Sequence, residues 1–304
     1  STWASKKILT DHSPKPEYLD AYEQWVRGVV ERYDLDGKND MPGLKASVRY
    51  YEVGVEFSSY EPEPVDDYLT MLDRPDIFDA VDFHALTDPY EIEDAVGWLN
   101  FEMKQRGYQK PVIIGDTSPS PFTGYGPATT CQGNRAQLAI LAPPAVEKDR
   151  CRLAEYFQKL TDGEGNTVTW TRAFVASDMV KKVVIAAEQR VALINTAFME
   201  EFIPFQSKAF RAAAGAAAWG GMAETNVNLL TQERTVKDLR PVFYAIRQLA
   251  GHLHGYSAIE RILLPDGRVR LYRLANGDGS LSIAWLETGE LMLPGDTVPQ
   301  TALQ

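Results

Sequence analysis

The chain has 304 residues, a length that suits one large domain or a domain with a small appendage, since domains average roughly 100–200 residues. With 44% hydrophobic, 24% charged and 11% aromatic residues, its composition is that of an ordinary soluble globular protein and excludes a disordered, collagenous or disulfide-dense one. A net charge of −11 with no long basic run argues against nucleic acid as a partner, and the longest small-apolar stretch, Ala212–Trp219, falls far short of the ~20 residues that cross a bilayer.

Residues Glu17–Tyr33 place Leu19, Tyr22, Val26, Val29, Val30 and Tyr33 at three-and-four spacing, which predicts an amphipathic helix. A turn-rich segment follows, and Ala46–Val53, rich in β-branched and aromatic residues, reads as a strand. The alternation continues with a short helix near Pro64–Leu72, a strand over Asp79–Ala85, a helix near Glu91–Arg106 and a strand over Pro111–Gly115. Beyond a Pro/Gly/Thr-rich loop, helices are predicted near Val146–Thr161 and Arg172–Glu188, a strand at Val191–Thr196 and a helix over Thr235–His252. Alternating helices and strands of this kind predict an α/β fold with parallel strands. After Gly255 the pattern changes to short strands at Ile259–Leu264, Arg268–Leu274, Leu281–Leu286 and Glu290–Leu293, separated by hairpin-turn signals. The chain therefore divides into a β/α body over 1–254 and an antiparallel β appendage over 255–304.

Several chemistries find no support. Cys131 and Cys151 lack the spacing of a redox or zinc pair and read as free thiols. Asp34, Asp36, Asn39 and Asp40 crowd one loop, but Gly37 directly after Asp36 breaks the EF-hand spacing, so a solvated turn is expected and no metal is assigned. No glycine-rich phosphate loop follows a strand, and no cofactor is expected. No leader with a basic start and an apolar run opens the chain, and neither compartment nor oligomeric state is assigned.

The informative segments lie at strand ends. In Tyr51–Glu56 the period of two puts Glu52, Gly54 and Glu56 on one face, so both carboxylates can reach one pocket. In Val112–Thr117 the first polar side chain after an apolar run is Asp116, at the strand edge where parallel α/β folds bind ligands.

In chain order these segments resemble the clan A glycoside hydrolases. WVRGVVERYDLDGKNDMPGLKASVRYYEVGVEF is similar to that family's third helix and fourth strand, DAVDFHAL to its sixth strand and KPVIIGDTS to its seventh. The Trp of AAAWGG resembles the eighth-strand Trp that floors the sugar site, and VRLYRLANGDGSLSIAWLE resembles the small β domain many members carry. The resemblance implies a TIM-barrel-like (β/α) body. That barrel is expected to be incomplete, because the 60 positions from Glu56 to Asp116 are about one unit too few for three steps of ~30 residues.

It further implies that Glu56 is the general acid/base and Asp116 the nucleophile of a retaining glycosidase acting on a β-linked glycoside, with their carboxyl groups ~5–5.5 Å apart. His84 and Trp219 would contact the sugar, and Glu52 would stand beside them. Two positions depart from the family pattern: Val55 replaces the usual Asn before the acid/base, and Asp116 is one methylene shorter than the usual Glu. Both favour a second reading, a catalytically silent carbohydrate-binding relative. A shorter acid also widens the gap toward the ~6.5–9.5 Å of inverting hydrolysis.

Overall fold

The structure is a computed structural model that describes residues 16–49, 51, 65–86, 88–117, 147–196, 199–201, 208, 211, 218–228, 230–231, 233–276 and 279–302. The chain falls into two compact units, Ser1–Ile77 and Phe78–Gln304.

In the first unit a short 3-10 turn, Pro16–Tyr18, leads into α1 (Leu19–Tyr33), and α2 follows at Val65–Leu72. The expected helix over Glu17–Tyr33 forms, but none of its residues is buried, and Tyr22 and Trp25 stack on each other at 6.0 Å in the open. The expected strand over Ala46–Val53 does not form across its described part. Its backbone goes elsewhere: Val48 N donates to Tyr33 O at 2.8 Å, and the Tyr51 hydroxyl donates to Val30 O at 3.2 Å. Between these segments the Asp40 carboxylate accepts from Leu35 N and Gly37 N.

The second unit begins with β1 (Val81–Ala85), α3 (Glu91–Gln105) and β2 (Val112–Thr117). Val81, Phe83 and Ala85 are buried and alternate with half-buried Asp82 and His84, the period of a strand with one apolar face. In α3 the buried residues Ile92, Val96, Leu99 and Met103 recur at helical spacing, and each such side chain contributes about 1.5–3 kcal/mol on burial. Next come α4 (Glu147–Asp162) and α5 (Gly165–Glu188). They are separated by Gly163 at φ 75° and by Glu164, whose carboxylate caps α5 by accepting from Asn166 N and Thr167 N. Residues Lys182–Ala186 of α5 are all buried, so the helix is enclosed on every face near its end. Helices α3 and α4 both pack against α5.

Strand β3 (Leu193–Ile194) completes a parallel sheet of order β1-β2-β3. A second sheet joins β4 (Glu200–Glu201) in parallel to β5 (Ala223–Val227), which pairs antiparallel with β6 (Arg234–Leu239). Gly221 lets β4 pass: a Cβ there would lie 2.2 Å from the Glu200 carbonyl carbon. Helix α6 (Pro241–Leu253) then packs along α5 around Val175, Met179 and Val242.

The third sheet is the antiparallel meander β7 (Ala258–Ile262), β8 (Val269–Asn276) and β9 (Gly279–Leu286). The strand expected at Glu290–Leu293 is absent; there Thr288 Oγ1 donates to Glu290 O and Leu293 N donates to the Asp296 carboxylate. The meander is fastened to the helices through aromatic and charged groups. Trp285 Nε1 donates to the Tyr90 hydroxyl at 2.8 Å, Tyr272 stacks on Trp285 at 5.0 Å, and Arg270 reaches Glu93 at 2.8 Å.

The TIM-barrel-like body, even as an incomplete barrel, is therefore corrected. A barrel requires one continuous sheet of parallel strands closing on itself. The described strands instead form three separate three-stranded sheets, of which the third is wholly antiparallel and the second mixed. The free-thiol reading is corrected as well, because Cys151 is held in a disulfide.

Candidate functional site

The most chemically crowded part of the described residues is the C-terminal edge of the β1-β2-β3 sheet. Its geometry starts from a bulge. The pairing runs Val81 with Val112 and Phe83 with Ile114, then skips one residue so that His84 faces Asp116 and Ala85 faces Thr117. Gly115 is the extra residue. In an unbulged strand Asp116 would share the face of Val112 and Ile114; the bulge moves its carboxylate to the half-buried face of Asp82 and His84. Asp82 explains why the extra residue is glycine: its Oδ1 accepts from Gly115 N at 2.7 Å, and a Cβ on Gly115 would sit 2.3 Å from its Oδ2.

Beyond β3 the chain supplies Asn195 to the same edge. Asn195 Nδ2 donates to Gly115 O at 3.0 Å, and its carbonyl accepts from the buried Thr117 hydroxyl at 2.7 Å. His84 and Asp116 thus stand one residue before the ends of β1 and β2, and Asn195 one residue beyond β3. Asn195 follows the rule that singled out Asp116, a first polar residue after an apolar run, so the signal was present in the sequence.

Beside this edge lies Lys182, a fully buried lysine on α5. Its Nζ donates to Ala85 O, the last carbonyl of β1, at 2.9 Å and stands 3.9 Å from Glu91 Oε1 at the start of α3. Burial pushes the ammonium below the ordinary lysine range, and the negative charges of Asp178, Glu91, Asp88 and Asp116 oppose that shift. Lys182 and Asp178 are spaced i, i+4 inside an apolar helix face, a signal for a buried charge pair that the periodicity reading passed over.

Of the residues predicted to form the site, the structure brings His84 and Asp116 together on neighbouring strands. Glu52 and Glu56 lie outside the described residues. Trp219 is buried in a different cluster, among Leu153, Phe157, Leu160 and Val168 of α4 and α5. Arg172 and Arg211 each lie 5.3 Å from its ring centroid, so its indole is met by guanidinium groups.

A second charged cluster spans β4, β5 and β6. Glu201, with no exposed side-chain surface, is held bidentate by Arg172 at 2.8 and 2.6 Å and again by Arg240 at 3.1 Å. Glu200 binds Arg234, Glu224 binds Arg240 and Lys237, and Asp238 binds Arg240. Four acids are answered by four bases in this network, which accounts for its charges internally.

The edge of the first sheet brings a carboxylate, an imidazole and a carboxamide together, with a buried ammonium bonded to the last carbonyl of β1. Comparison with family models, with curated proteins and with solved structures finds no match to the chain.

Proposed function

We propose that the chain acts on a β-linked glycoside, with Asp116 attacking the anomeric carbon and Glu56 giving its proton to the departing oxygen. The observation that carries this reading is the pairing of His84 with Asp116 at the carboxyl ends of parallel strands, the edge of an open α/β sheet where ligands bind. Asn195 adds a neutral donor and acceptor suited to sugar hydroxyls. The reading needs no closed barrel; it needs two carboxyl groups on either side of one glycosidic bond.

The proximity of Lys182 favours a second reading. An ammonium that draws on the Asp116 charge makes that carboxylate a weaker nucleophile, and Asp116 is already one methylene short. In this reading the same edge binds an oligosaccharide without cleaving it.

Turnover of aryl glycosides separates the two. For an enzyme, Asp116→Asn abolishes turnover of every substrate, while Glu56→Gln slows substrates with poor leaving groups by about 10²–10⁴-fold and spares activated ones. Absence of turnover across a broad panel, with oligosaccharide binding seen by calorimetry, assigns the binding function instead. Neither turnover nor binding rejects both.

A further inference from the structure

We infer that Arg211 and Trp219 form a binding site for a small carboxylate ion, held by the Nε edge of the guanidinium and by the indole N–H. The site belongs to the α4–α5 cluster and not to the β1-β2-β3 edge, and it does not rest on the glycoside reading.

Buried donors carry the inference. Among the described residues, Arg211 Nε and Trp219 Nε1 are shut off from solvent without a hydrogen-bond acceptor. Trp219 is 7% exposed, and an indole nitrogen can only donate, so this N–H has given up water with no partner from the fold. Buried donors in folded proteins are nearly always paired, so adjacent exceptions point to a ligand that accepts. The exceptions are adjacent: the Arg211 guanidinium lies 5.3 Å from the centre of the Trp219 ring.

The same ring offers a template for that ligand. Arg172 also lies 5.3 Å from its centre, and Nε and Nη2 of Arg172 hold both oxygens of the Glu201 carboxylate at 2.8 and 2.6 Å. Arg211 spends Nη1 on Thr161 O at 3.1 Å, in the last turn of α4, while its Nε edge meets no acid among the described residues. The acids of the neighbourhood are engaged elsewhere. Glu201 is held by Arg172 and Arg240, and Asp162 by Lys208 at 2.7 Å and Gln158 at 2.5 Å. Arg211 is half-buried, which leaves part of it open to solvent. A planar anion with two oxygens answers the charge, the Nε edge and the indole N–H together. A water molecule can answer an N–H but not the charge. Leu160 and Val168 of the same cluster add no polar group, so the site suits a small carboxylate and not a polyol.

Nitrogen-edited NMR of the Trp219 indole N–H, assigned with Trp219→Phe, tests this with sodium acetate as the probe at constant ionic strength. Acetate should shift the signal saturably, whereas acetamide, of the same shape without the charge, should not. Arg211→Lys keeps a positive charge but loses the two-point edge, and it should weaken acetate binding about tenfold or more. Trp219→Phe keeps a ring but removes the donor, and calorimetry should show weakened binding there as well. No saturable shift with acetate, an equal response to acetamide or chloride, or unchanged binding in either variant overturns the inference. Should the variants fail to fold, the comparison of acetate with acetamide and chloride on the wild-type protein decides alone. The probe is no glycoside and the readout is no turnover, so a negative result leaves the proposed function untouched.

Discussion

At the scale of single residues, Gly115 and Asp82 form a lock. The carboxylate of Asp82 occupies the volume that any side chain at 115 would need, and it also holds the bulged amide. Gly115→Ala must displace that carboxylate or undo the bulge, and a loss of about 1–3 kcal/mol is expected in chemical denaturation. Asp82→Ala should make Gly115→Ala much less costly, so the two changes are strongly non-additive in a double-mutant cycle. Additive costs would mean that Asp82 is not seated over Gly115. Legibility at this scale was uneven. Asp116 stood out because it follows an apolar run, but a lone glycine in a strand does not say which neighbour fills its space, and a lysine in a helix looks like a solvated one until its burial is known.

At the scale of elements, periodicity located α1, β1, α3, β2, α4 and the three strands of the meander to within a few residues, because each carries a full apolar face. It failed over Thr235–His252, read as one helix. The segment is strand β6 up to Leu239, then helix from Pro241, and the proline is the residue that could have told them apart, since its ring suits the first helical turn. Strand β4 was illegible for another reason: two glutamates carry no apolar pattern, and they are buried only because Arg172, Arg234 and Arg240 meet them. Arg240 is the element-scale test. It joins acids from all three strands of this sheet, so Arg240→Met should cost about 3–5 kcal/mol by leaving Glu201 and Glu224 short of a partner. Lys237→Ala, at a side chain 57% exposed, should change stability by no more than about 0.5 kcal/mol. Comparable losses would assign the stability to general surface charge and not to the buried network.

At the scale of the whole molecule, the charge distribution sets the pH window of stability. Hydrogen bonds from Thr167, Lys237 and Arg268 hold the carboxyls of Glu164, Glu224 and Asp266 respectively below the usual range, so their stabilisation is present above the ordinary carboxylate values and is lost as pH falls through the depressed ones. Lys182 has a depressed value too, but as a base it is the unfolded chain that holds the proton more tightly, so its burial penalises the fold at low pH and the penalty is relieved as pH rises toward the lysine range. Tyr272 runs the other way: burial first, then the Glu93 charge, push its hydroxyl up to about 12, and its stabilisation is lost as pH rises from about 10 through that value. Tyr90 and Tyr156 are raised further by burial. An ultraviolet titration of the 14 tyrosines should therefore show a late fraction whose ionisation coincides with loss of tertiary circular dichroism. A single transition near pH 10 with the fold intact would contradict the buried placement of these hydroxyls.

Lys181 and Lys182 are consecutive residues of α5, and consecutive side chains on a helix leave its axis about 100° apart. One ammonium is fastened to Glu287 at the end of the meander, the other to the last carbonyl of β1. The azimuth of α5 is thereby fixed from two directions. A roll of the helix in either direction would strain one contact or the other, so the two lysines together oppose rotation of α5 between the meander and the strand edge.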